Sequence, residues 1–90
     1  MNLVIEMVEI QEVFKIIESI LKDRTIPKNI RAAIERAKNS LESSEEPSVK
    51  ISTAIQILDE VINEANMPMY ARTKIWNIVS ILEEKRREIG

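Results

Sequence analysis

The sequence predicts an all-α protein, an antiparallel up-and-down four-helix bundle built from two duplicated helical hairpins. Three observations carry that prediction. Apolar residues recur at spacings of three and four, prolines occur only at positions 27, 47 and 68, and a shift of 41 residues lays the first half of the chain on the second. No segment alternates apolar and polar residues with the period of two that a half-buried strand needs. The only glycine is Gly90, so little of the chain is available for loops. Ninety residues are expected to form one domain, 1–90, around one core. Its helices are expected at approximately 3–23, 26–42, 46–65 and 67–88.

In the first helix, Leu3, Met7, Ile10, Phe14, Ile17 and Leu21 form an amphipathic stripe that Val13 and Ile20 widen. Glu6 and Glu9 near its start and Lys22 and Arg24 near its end complement the helix dipole. Ile5, Val8 and Ile16 lie off the stripe, a surplus that predicts either deeper burial than its neighbours or contact with a second subunit. The second helix is expected to start at a Thr25 cap with Pro27 in its first turn, where a missing N–H costs nothing. Ile30, Ile34, Ala37 and Leu41 continue its stripe. The polar run Glu42-Ser43-Ser44-Glu45-Glu46 reads as a loop ending in a Ser44 cap, with Pro47 early enough to be tolerated. Ile51, Ile55, Leu58, Ile62 and Ala65 then form the third stripe. Asn66 is expected to cap the fourth helix, Pro68 repeats the role of Pro27, and Ala71, Ile75, Ile78 and Leu82 face the core.

The duplication follows from the register. Thr25-Ile26-Pro27 falls on Asn66-Met67-Pro68, Arg31 on Arg72, Ile34 on Ile75 and Leu41 on Leu82, while Ile17 and Ile20 fall on Leu58 and Val61. A hairpin with one apolar face cannot bury it alone, so the second copy supplies the other half of the core. Arg31 and Arg72 are each expected to reach an acid on the preceding helix, Glu18 and Asp59.

Composition limits the chemistry. Without cysteine or histidine there is no disulfide, no thiolate or imidazole metal site, no cysteine nucleophile and no Ser-His-Asp triad. No catalytic residue, cofactor or metal site is identified, and Asp59, Glu60, Asn63 and Glu64 show only the spacing that any acidic helix supplies. No apolar run approaches the roughly 20 residues that span a bilayer, and no basic segment precedes an apolar one, so a cytoplasmic location without membrane contact is expected. The net charge of −2 gives no global attraction to nucleic acid.

Charge nevertheless sorts by helix: −2 over residues 1–22, +3 over 23–41, −5 over 42–65 and +2 over 66–90. Opposite signs on successive helices favour antiparallel neighbours, each surface pair contributing only about 0–1 kcal/mol. A functional alternative is that Lys28, Arg31, Arg36, Lys38, Arg72 and Lys74 meet a phosphate backbone, which requires helices 2 and 4 to share a face. They do so in a two-layer stack of hairpins but lie on a diagonal in a square bundle.

Residues 66–77 are the least ordinary segment, holding two of the three aromatics and two of the four methionines. Met67, Met69, Tyr70 and Trp76 are the candidate interaction residues, adaptable and aromatic side chains of the kind enriched at interfaces. The plainer reading has Trp76 covering one side of a thin core with its indole N–H turned to water. The function expected is a protein-interaction or assembly module, with an unidentified protein partner or self-association. The alternative is an accessory RNA-binding or ribosome-associated protein using the basic faces of helices 2 and 4.

Asp23-Arg24-Thr25-Ile26-Pro27-Lys28-Asn29-Ile30-Arg31, then Leu58-Asp59-Glu60, Asn66-Met67-Pro68 and Ala71-Arg72-Thr73-Lys74-Ile75-Trp76-Asn77-Ile78 resemble an archaeal family. It is the uncharacterised protein family numbered 0147, and the resemblance covers nearly the whole chain. It implies a four-helix bundle and a cytoplasmic archaeal protein with no assigned activity. Tyr70 departs from the histidine associated with its position in that family, so no histidine chemistry is carried over.

Overall fold

The computed structural model describes residues 3–89, and side chains from Glu9 to Ile89. The regular structure among them is helical: α1 (Leu3–Leu21), α2 (Lys28–Leu41), α3 (Pro47–Val61) and α4 (Met69–Ile89). Among the described residues the backbones of α1 and α2, α2 and α3, α3 and α4, and α4 and α1 run side by side, whereas α1 and α3, like α2 and α4, face each other only across the core. The bundle is therefore square. Its extents of 37 × 20 × 19 Å are those of four helices in a two-by-two array, each about 10 Å across.

The core is the inner stripe of each helix. Val13, Ile17 and Ile20 meet Ile30, Ile34 and Ala37 from α2, Ile51, Ile55 and Leu58 from α3, and Ala71, Ile75 and Ile78 from α4. On α1 this stripe is rotated from the expected one: Val13, Ile17 and Ile20 lie at its centre, Phe14 and Leu21 at its margin, and Ile10 is exposed. Ile16 is half-buried against the core and is not surplus. Ile5 and Val8 lie outside the described side chains. Ala65 leaves the third stripe because α3 stops at Val61, where the Asn63 amide donates to the Asp59 carbonyl at 3.2 Å and helps satisfy the helix end.

The corners preceding α2 and α4 share three backbone hydrogen bonds at the repeat offset. Asp23 N–H donates to Ile20 O at 3.1 Å, and Glu64 N–H to Val61 O at 3.0 Å. Ile26 N–H donates to Asp23 O at 3.1 Å, and Met67 N–H to Glu64 O at 3.2 Å. Arg31 N–H donates to Pro27 O at 3.1 Å, and Arg72 N–H to Pro68 O at 3.0 Å. Pro27 and Pro68 sit just outside their helices, two positions earlier than expected, and their carbonyls accept the first helical bonds. Thr25 and Ser44 consequently do not cap: Pro27 and Glu46 hold the N-cap positions of α2 and α3 without side-chain hydrogen bonds. Asn66 pairs with Asn29 instead, its amide donating to Asn29 Oδ1 at 2.9 Å, which ties the two corners together.

Helix lengths are unequal, 19 and 21 residues for α1 and α4 against 14 and 15 for α2 and α3. At the end opposite the corners, Pro47 and Lys50 of α3 line one cavity with Lys85 and Ile89 of α4, so the first turn of α3 stands beside the last turns of α4.

Candidate functional site

Helix periodicity turns Ala71, Ile75, Ile78 and Leu82 inward and leaves Met69, Tyr70, Thr73, Trp76, Asn77 and Ser80 on the outer face of α4. All six are exposed and none is charged, in a chain of which 31% is charged. Met69 is 69% exposed, Trp76 55% and Tyr70 45%, so Trp76 is a surface residue and not a lid on the core. Met67 does not join them. At 8% exposure it belongs to the core, because it is the repeat equivalent of the buried Ile26 and the duplicated corner turns it inward.

Tyr70 is fixed in place. Its hydroxyl donates to Asp23 Oδ2 at 3.0 Å and lies against the Thr25 hydroxyl. Thr25 in turn donates to Asp23 Oδ1 through its hydroxyl at 2.5 Å and its N–H at 2.9 Å. These donors, the Thr25 hydroxyl foremost, hold the Asp23 carboxyl below the ordinary carboxylate range. Sequence reading missed Asp23 here. The available signal was an acid two residues before a threonine at a helix exit, the spacing of an Asx turn.

The six basic residues are divided. Lys28, Arg31, Arg36 and Lys38 belong to α2, and Arg72 and Lys74 to α4 on the opposite corner of the square. Lys38 Nζ pairs with Glu18 at 3.1 Å, a hydrogen bond that raises its pKa, and Lys74 donates to Ser19 Oγ at 3.1 Å. Arg31 therefore does not pair with Glu18; its Nε donates to the Ile26 carbonyl at 3.0 Å. Arg72 Nε is buried with no hydrogen-bond partner, and no ion pair joins Arg72 to Asp59 among the described residues.

Lys85, unremarkable in the sequence, is the one charged residue buried among those described. Its ammonium lies 3.3 Å from Glu9 and 3.4 Å from Glu88. Burial disfavours its charge, but the hydrogen bonds to both carboxylates outweigh that and raise its pKa. It borders an apolar cavity of about 450 Å³ at the end of the bundle where α2 joins α3. No described group of three or more acids is placed to hold a metal ion, and no described helix is long and apolar enough to cross a membrane.

A model of the uncharacterised protein family UPF0147 matches residues 3–84. The chain belongs to this family. A UPF0147 protein of Methanocaldococcus jannaschii is 54% identical over 68 residues, covering 74% of this chain and 73% of the relative. One from Archaeoglobus fulgidus is 35% identical over 74 residues, covering 82% and 85%. The fold is shared with the crystal structure of unknown function protein MMP1188, at a TM-score of 0.80 and 45% identity over 83% of this chain and 86% of that one. It is shared as well with a UPF0147 protein of Thermoplasma acidophilum, at 0.82 and 30% identity over 87% and 93%. The resemblance carried by residues 23–31 and 66–78 is thus correct. The whole outer face of α4 lies inside the UPF0147 match, whereas Lys85 falls just beyond its last residue.

Proposed function

We propose that this UPF0147 chain is a protein-interaction module whose contact face is the outer side of α4, centred on Met69, Tyr70 and Trp76. The supporting observation is that the six exposed residues between Met69 and Ser80, namely Met69, Tyr70, Thr73, Trp76, Asn77 and Ser80, are all uncharged in a chain of which 31% is charged. Exposed charge keeps a small domain soluble, so an uncharged strip holding the only tryptophan costs solubility unless a partner covers it. Trp76 supplies a large, stiff contact area, Met69 an adaptable one, and the hydrogen bonds on Tyr70 fix its ring before any partner arrives. The partner face that fits is apolar at its centre, with few charges facing Arg72 and Lys74. The proposal places the chain in the cytoplasm, as the family resemblance implies.

An RNA-binding reading is less well supported, because α2 and α4 lie on a diagonal and a phosphate backbone would meet only one of them at a time. Purification of the native protein from an archaeal host, with and without nuclease, separates the two. Co-purification of one protein species that survives nuclease and is lost on Trp76→Ala supports the contact face. Association that disappears with nuclease, or that Trp76→Ala leaves intact, refutes it.

A further inference from the structure

We propose that the outer face of α4 is a self-association site, at which the α4 helices of two copies of this chain pack antiparallel across a two-fold axis. The inference rests on the contact face proposed above and names its partner. Four residues set the pole of that face. Met69, Thr73, Trp76 and Ser80 recur at spacings of four, three and four, all exposed and opposite the buried Ala71, Ile75, Ile78 and Leu82. That alternation is the spacing of a seam along which two helices pack.

Two properties of the seam identify the occupant as a second copy. The first is shape. Large and small side chains alternate along it, and the order Met69, Thr73, Trp76, Ser80 read in reverse becomes small, large, small, large. A copy turned end for end about an axis at the level of Lys74 and Ile75 therefore sets Met69 against Ser80 and Trp76 against Thr73, each pair twice. Every bulky side chain then meets a short one, and the two helix axes can close to the usual separation of about 8–10 Å. The Thr73 hydroxyl donates to the Met69 carbonyl at 3.2 Å within its own helix, so covering it leaves no donor unmet.

The second property is charge. A two-fold axis brings the residues around it beside their own images, so a self-contact is opposed wherever the surface carries one sign of charge. The seam carries none. Lys74 lies to its side and donates to Ser19 of α1, and the next turn of α4 is balanced within the helix by Arg86 with Glu83 and Arg87 with Glu84. An uncharged seam offers a foreign partner little electrostatic means of recognition, which leaves the match of shape as the source of specificity. The seam is about 18 Å long, and two copies bury on the order of 800 Å² across it, less than the roughly 1,200 Å² of a stable specific interface. The dimer is accordingly weak and concentration-dependent.

Sedimentation equilibrium from micromolar to near-millimolar chain tests this, with far-UV circular dichroism as the check on folding. The expected mass rises from one chain toward two. Trp76→Ala moves the midpoint upward by about tenfold or more. Ser80→Met adds apolar surface yet weakens the dimer by a similar factor, because the new side chain collides with Met69 of the second copy. Adding Met69→Ser to Ser80→Met restores the pairing of large with small and brings the midpoint back toward the parent value. If Trp76→Ala loses helix, the two Ser80→Met variants decide. A single-chain mass at every concentration overturns the second copy as partner and leaves the contact face to a foreign protein, which the nuclease comparison above tests separately. The proposal is also overturned by a dimer that a folded Trp76→Ala leaves intact, by a Ser80→Met dimer as tight as the parent or tighter, or by a double variant that stays as weak as Ser80→Met alone.

Discussion

Arg31 and Arg72 occupy equivalent positions in the two hairpins but are bonded unequally, which gives opposite expectations for the same substitution. Arg31 Nε donates to the Ile26 carbonyl at 3.0 Å, whereas Arg72 Nε is buried without a partner. Methionine keeps much of the unbranched stem and its packing while removing the guanidinium. Arg31→Met gives up a bond from a charged group, a class that contributes about 1.5–3 kcal/mol, and half-burial puts this one at the lower end. In a domain of this size each kcal/mol moves the midpoint by about 4–8 °C, so a loss of about 6–12 °C is expected. Arg72→Met removes a buried donor whose unmet hydrogen bond costs about 1–3 kcal/mol, so its midpoint should stay level or rise. Thermal unfolding followed by far-UV circular dichroism at pH 7 compares the two variants with the parent. Equal losses at both positions would refute the reasoning, because they would show that the guanidinium stems and not their hydrogen bonds carry the stability.

Three further outcomes follow from the same contacts. Asp23 has a depressed folded pKa, so its contribution is present above the ordinary value of 3.8 and lost as pH falls through the folded one. Tyr70→Phe should therefore lower the urea midpoint at pH 7 and match the parent at pH 2; a difference that persists at pH 2 contradicts this. Lys85 has a raised folded pKa, so its contribution is complete below the ordinary value of 10.5 and lost as pH rises through the folded one. Lys85→Met should lack that alkaline loss. Removing both acids, Glu9→Gln with Glu88→Gln, should cost less than the roughly 3–5 kcal/mol of a dry broken pair, since the cavity admits water to the ammonium; chemical denaturation measures both. Ile34→Ala and Ile75→Ala, equivalent and fully buried, should each cost about 2–5 kcal/mol, and a neutral result at either would mean that the hairpins do not share one core.

Much of this fold is written in the spacing of isoleucine, leucine and alanine, because a period of 3.6 residues with no glycine inside it leaves the chain few choices but helix. The repeat was legible for the same reason, since Pro27 and Pro68 punctuate both hairpins at one offset. What sequence could not supply was the azimuth of each side chain at the helix ends. Thr25 looked like a cap and instead serves Asp23 and Tyr70, because Pro27 takes the N-cap position. Met67 looked like part of a surface patch and is core, because the chain turns after Val61 and not at Ala65. Lys85 is buried where α4 packs beside Glu9 of α1 and the first turn of α3, a neighbourhood that no local pattern encodes. Trp76 was placed near the edge of the stripe, where helical geometry alone does not decide between core margin and contact face.

Site-specific photo-crosslinking in an archaeal host tests the contact face on α4 most directly. A photoreactive residue at Asn77 lies within that face, and one at Gln56 is equally open to solvent on α3. The contact face predicts a discrete protein adduct from Asn77 that is absent from Gln56 and weakened by Trp76→Ala. Equal labelling from both positions, or an Asn77 adduct that nuclease removes, would contradict it.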